Sequence, residues 1–149
     1  MLILLDIDGV MVTTPSWKQP IMLDDNFPDF NKESVKNLND ILNQTKSTVV
    51  LTTSHKSKYT LDEWSLIFSK RGIECNLQKL NNQPSTNRYD EIIDWFETYG
   101  ENNFVIIDDD KQLNKLPNNI KCKLVSTDLM IGLNSEVKET VINILKKLK

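Results

Sequence analysis

Apolar positions along the chain alternate between two patterns. Short, mostly unbroken runs, Leu2-Ile3-Leu4-Leu5, Thr48-Val49-Val50-Leu51 and Phe104-Val105-Ile106-Ile107, have the pattern of strands buried on both faces. Elsewhere apolar residues recur at helical spacing: Val35, Leu38, Ile41 and Leu42; Leu61, Trp64, Ile67 and Phe68; Ile92, Ile93, Phe96 and Tyr99; and Val137, Val141, Ile144, Leu145 and Leu148. These sets predict amphipathic helices that each bury one face. Asn31 is placed to cap the first helix, Thr60-Leu61-Asp62-Glu63 has the spacing of a capping box, and Gly72 and Gly100 are placed as stops. Weaker strands are expected over 73–77 and 121–126, and residues 78–87, rich in Asn, Gln, Ser and Pro, read as a loop. No internal repeat is visible. The alternation predicts an α/β fold with a mostly parallel central sheet, right-handed crossovers and helices on both faces.

In such open sheets ligands bind beyond the carboxyl ends of the strands, so polar residues just after apolar runs carry the most information. The first run delivers Asp6-Ile7-Asp8-Gly9, the second Thr52-Thr53-Ser54 and the third Asp108-Asp109-Asp110. Asp6 and Asp8 share a face only if the chain stays extended; the expectation is that the strand ends there and Gly9 permits a sharp turn. Asp-x-Asp-Gly alone also fits a solvated turn or a calcium loop. An EF-hand loop needs further oxygen ligands, whereas Met11, Val12, Pro15 and Trp17 follow here. The hydroxyl trio alone fits local caps of a strand-to-helix turn. Three adjacent acids fit a solvated loop, but their repulsion would be relieved by a divalent cation.

Composition narrows the classes. A chain of 149 residues suits one domain able to bury a core without disulfides or metal staples. With 18 basic and 21 acidic residues the net charge is −3, so no strong field argues for DNA or a membrane surface. Cys75 and Cys122 have no metal-type spacing and no signal peptide before them, which predicts buried, inert thiols in a reducing, cytoplasmic setting. No apolar stretch approaches the roughly 18 residues of a membrane span. His55, the one histidine, has no second histidine with which to build a zinc site, and reads as a surface or substrate-edge residue. Trp17, Trp64 and Trp95 read mainly as core.

Asp6-Ile7-Asp8-Gly9-Val10, the strand ending in Thr52 and the strand ending in Asp108-Asp109 resemble, in order and spacing, the motifs of the haloacid dehalogenase (HAD) phosphohydrolase superfamily. Arg88, Asp90, Glu91 and Trp95, with the later Thr127, Asp128, Gly132 and Leu133, look like the small HAD domain of Swiss-army-knife RNA repair proteins. The resemblance implies a three-layer Rossmann-like fold, with Asp6 as nucleophile and Asp8 as general acid and base. It implies Mg²⁺ held by Asp6, the Asp8 backbone carbonyl, Asp108 and Asp109. Thr52 would bind phosphate, with Thr53 and Ser54 as alternatives, and Gly9 and Lys56 would also face the substrate. Arg88 would supply the phosphate-neutralising cation, with Lys79 as alternative. In the family a Trp-Arg pair commonly follows the second motif, where this chain has His55-Lys56; a Lys point charge recognises phosphate differently from an Arg fork.

The chemistry has its own logic. A phosphate monoester repels an anionic nucleophile, so a site must neutralise charge and align attack. Mg²⁺ suits oxygen ligands and is held by one or two carboxylates plus substrate oxygens. We expect one HAD-like domain over 1–149 without a large cap, residues 10–31, with Pro15, Pro20 and Pro28, being a candidate flap and Trp17 a candidate substrate border. The expected function is a Mg²⁺-dependent phosphatase acting through an aspartyl-phosphate, on nucleotide or nucleic-acid phosphate. The alternative is a phospholigand-binding or partner-binding module with little turnover. No membrane and no obligate protein partner is expected.

Overall fold

The apolar runs become the centre of a parallel sheet. In this computed structural model, which describes residues 1–14, 19–80, 87–99 and 103–147, the strands are β1 (Leu2–Leu5), β2 (Thr48–Leu51), β3 (Leu77–Lys79), β4 (Phe104–Asp108) and β5 (Leu124–Ser126). Their order is β3-β2-β1-β4-β5, every neighbouring pair parallel. The helices are α1 (Lys32–Thr45), α2 (Leu61–Lys70), α3 (Arg88–Tyr99), the short α4 (Asn118–Lys121) and α5 (Ser135–Lys147), with 3₁₀ turns at Lys56–Lys58 and Lys111–Lys115.

Side-chain alternation splits the core in two. Ile3, Leu5, Val49, Leu51, Val105 and Ile107 pack with Leu38, Trp64, Phe68 and Val141, and so under α1, α2 and α5. Leu4, Val50, Phe104 and Ile106 face the other way, against Ile92 and Trp95 of α3 and Ile120 of α4. Both faces are covered, which is why β1 has no polar position. Caps act as the sequence suggests: the Asn31 side chain accepts from Ser34 N–H, and Thr60 with Glu63 forms a reciprocal capping box.

Three boundaries differ from expectation. The strand expected over 73–77 lies at Leu77–Lys79, because Ile73 N–H still bonds to Phe68 O at the end of α2 and pairing to β2 begins only near Asn76. Gln78 and Lys79, expected in a loop, are therefore in the sheet. The strand expected over 121–126 is shortened to Leu124–Ser126, since Pro117 O accepts from Ile120 and Lys121 and winds that segment into α4. Cys75 is half-buried and Cys122 exposed rather than buried; both are free. Burial, with a smaller contribution from Glu74, pushes the Cys75 thiol up to about 11, the setting of an unreactive thiol.

Of the candidate flap, Val10, Met11, Val12, Phe27 and Phe30 lie in the core. Arg71 grips its far end, donating to Asp25 and to the carbonyls of Phe27 and Pro28. Pro15, Trp17, Gly100, Leu148 and the loop residues 81–86 lie outside the described residues. Among the described residues no helix is long and apolar enough to cross a membrane.

Candidate active site

Strand register decides which polar residues meet. Leu5 of β1 pairs with Leu51 of β2 on one side and Ile107 of β4 on the other. The next residues, Asp6, Thr52 and Asp108, therefore form one row across three strands, tied by Thr52 N–H to Leu5 O at 3.0 Å and Asp6 N–H to Ile107 O at 3.1 Å. They continue the parity of Leu4, Val50 and Ile106, which faces α3. The first residue of α3 is Arg88, and its Nη1 lies 3.2 Å from Asp6 Oδ2 and 3.0 Å from Asp108 Oδ2.

Asp109 joins from the turn after β4. Carboxylate oxygens of Asp6, Asp108 and Asp109 all lie within 4.8 Å of one another. Gly9 makes room: its φ is +80°, and a Cβ there would run into the Asp109 carboxylate. The Gly9 carbonyl accepts from the Thr127 hydroxyl at 2.8 Å, and Thr127 N–H bonds to Asp108 O, so the end of β5 props both loops. Gly132, at φ +74°, lets its segment close on the Val10 carbonyl. Asp110 stands aside, its carboxylate capping Gln112 N–H.

The electrostatics follow from burial of like charges. Desolvation, reinforced by repulsion from Asp108 and partly offset by Arg88, pushes Asp6 up to about 9. Burial also raises Asp108, against the pull of Arg88, and raises Asp109. Burial would lower Arg88, but Asp6 and Asp108 outweigh it and hold the guanidinium above its ordinary value. One Arg thus faces three carboxyl groups. Among the described residues Arg88 alone offsets the charge at Asp6, and a divalent cation at this cluster would favour the anionic carboxylate. An all-oxygen cluster of this density fits Mg²⁺.

The chain matches, over residues 2–137, the family described as the HAD domain in Swiss Army Knife RNA repair proteins. It belongs to this family. No curated protein matches the chain, and no solved structure does. The HAD family suggests phosphatase-type chemistry, and the buried acidic cluster of this HAD domain is compatible with it.

The remaining predicted residues divide. Thr52 Oγ1 is buried and, among the described residues, has no hydrogen-bond partner. Thr53 is also buried, but its hydroxyl accepts from His55 N–H at 3.3 Å and so stabilises the turn. Ser54 is exposed. Asp8 leaves the row: beyond the end of β1 its carboxylate is half exposed and Oδ2 stands 3.0 Å from His55 Nε2. Lys79 reaches the carbonyls of Lys56 and Tyr59, not the acids, so Arg88 is the cation that the fold brings to Asp6.

Lys56 corrects the sequence reading. Expected to face the substrate, it is buried, with Nζ 2.8 Å from Glu91 Oε2 in an ion pair whose side chains are 4% and 7% exposed. Glu91 lies on α3 beyond Arg88, and its buried charge draws the Lys56 ammonium inward. That pair, and the His55 contact with Asp8, join residues far apart in sequence and have no local signal.

Proposed function

We propose that this HAD domain is a Mg²⁺-dependent phosphomonoesterase acting through an aspartyl-phosphate on Asp6, with nucleotide or nucleic-acid phosphate as substrate class. The observation that carries the reading is the row Asp6, Thr52 and Asp108 with Arg88 spanning its acids, because it gathers a nucleophile, a hydroxyl donor and a cation at one sheet edge.

Asp6, Asp108 and Asp109, with the Asp8 backbone carbonyl, would hold the metal, which supplies charge neutralisation and orients the phosphoryl oxygens. Asp6 attacks phosphorus; the Asp6 oxygen–phosphorus bond forms as the bond to the leaving oxygen breaks. Ile7 N–H, which donates to Asp6 Oδ1 at 2.8 Å, keeps the carboxylate in place. Asp8 gives its proton to the leaving oxygen, then takes one from the water that cleaves the aspartyl-phosphate. Thr52 Oγ1 donates to a phosphoryl oxygen, giving the buried hydroxyl its missing partner. Arg88 holds the acids in register and offsets their charge.

The exposure of Asp8, and the absence of a second folded unit among the described residues, suit a phosphate at the end of a larger molecule. The test is phosphate release from an aryl phosphate, nucleotides and 3′- or 5′-phosphorylated RNA and DNA, with Mg²⁺ or EDTA, beside Asp6→Asn. Metal-dependent release that Asp6→Asn lacks is the expected result. A folded protein that binds Mg²⁺ and releases no phosphate from any member would overturn the reading in favour of a binding module.

A further inference from the structure

Asp8 is a half-exposed carboxylate on a turn, yet its proposed task demands a fixed direction. Unlike Asp6 it is not held by Arg88 or by its own backbone neighbours; among the described residues its carboxylate meets His55, 47 positions away, at 3.0 Å. His55 is in turn fixed on three sides. Its N–H bonds to Thr53 Oγ1, its carbonyl accepts from Lys58 N–H at 2.9 Å, and its ring stands edge-on to Phe27, with centroids 5.8 Å apart at 90°. Phe27 is itself buried within a cluster of Phe30, Tyr59, Trp64 and the Arg71 guanidinium. The His55 backbone is thus tied on both sides, and one edge of its imidazole rests on a buried ring.

We propose that His55 is a positioning residue for Asp8: the imidazole holds Oδ2 and leaves Oδ1 directed to the leaving-group oxygen. This rests on the phosphatase reading above. In the tautomer with the proton on Nε2, His55 donates to Oδ2 of the Asp8 carboxylate, and that bond persists when Oδ1 carries the proton to be transferred. His55 touches neither phosphorus nor the leaving group; it removes rotational freedom from the acid that does. Orientation of a reacting group is worth as much as about 10²-fold when misplacement is of the order of 1 Å.

The consequence depends on the leaving group. A nitrophenolate leaves with little need of a proton, whereas an alkoxide or nucleoside oxygen needs one. The experiment measures kcat/KM, which covers the steps through departure of the leaving group, for 4-nitrophenyl phosphate and for an alkyl phosphate. His55→Ala is expected to lower the alkyl value at least about tenfold more than the nitrophenyl value. His55→Gln, which can place an N–H near the same point, is expected to restore most of it. His55 is the chain's one histidine, so its ring ¹⁵N resonances are unambiguous, and they should move in Asp8→Asn.

Equal losses on both substrates, no loss on either, a Gln variant as slow as Ala, or an imidazole signal indifferent to Asp8→Asn would each overturn the positioning role. The imidazole readout keeps His55 intact and decides the matter if His55→Ala does not fold. Release abolished by Asp6→Asn upholds the phosphatase reading whatever His55 does, and release independent of Asp6 overturns both.

Discussion

Gly9 and Asp109 occupy adjoining space that no other residue at position 9 would leave free: a Cβ on Gly9 would collide with the Asp109 carboxylate, and the φ of +80° is itself unfavourable for any side chain. Gly9→Ala is therefore expected to displace Asp109, weaken Mg²⁺ binding and cost about 1–3 kcal/mol of stability. Mg²⁺-dependent shifts in melting temperature, followed beside phosphate release, check both effects. A variant with wild-type Mg²⁺ response would show that Asp109 is not a ligand.

Asp6→Asn should stabilise the metal-free protein at alkaline pH. Asp6 titrates near 9 in the folded protein against 3.8 in the ordinary state, so the folded chain holds a proton that the unfolded chain releases. That stability is fully present below 3.8 and is lost as pH rises through about 9. In EDTA the wild type is expected to melt progressively lower from pH 5 to pH 9, and Asp6→Asn to show a flatter profile. Mg²⁺ should restore the wild type at pH 8 more than the variant.

Thr52→Val separates folding from binding. Among the described residues the buried hydroxyl has no partner, so its removal should leave stability unchanged or raise it by about 1 kcal/mol. Affinity for inorganic phosphate or a substrate should fall about tenfold through loss of a donor to an anion. Calorimetric phosphate titration and thermal melting together read the two signs.

Lys56 and Glu91 are a buried ion pair, and their breakage should be structural. Lys56→Met leaves the Glu91 charge uncompensated and is expected to cost about 3–5 kcal/mol, whereas Lys56→Met with Glu91→Leu should recover most of it. The doubly substituted protein should keep a KM near wild type. A large rise in KM there would return Lys56 to the substrate.

The sequence by itself determined the strands and helices of the central fold, because Leu2–Leu5, Thr48–Leu51 and Phe104–Asp108 are continuous enough to require burial on both faces and the capping residues are local signals. It also named Asp6, Thr52, Asp108 and Asp109, since polar residues directly after buried strands must emerge at one sheet edge. Boundaries set by pairing partners, such as the start of β3, were not legible from local pattern. Only the tertiary structure decided that Arg88 rather than Lys79 reaches Asp6, that Lys56 turns inward to Glu91, and that the His55 ring meets the Asp8 carboxylate. Those outcomes depend on strand register and on which helix covers which face, distances between side chains remote in the chain that no local periodicity encodes.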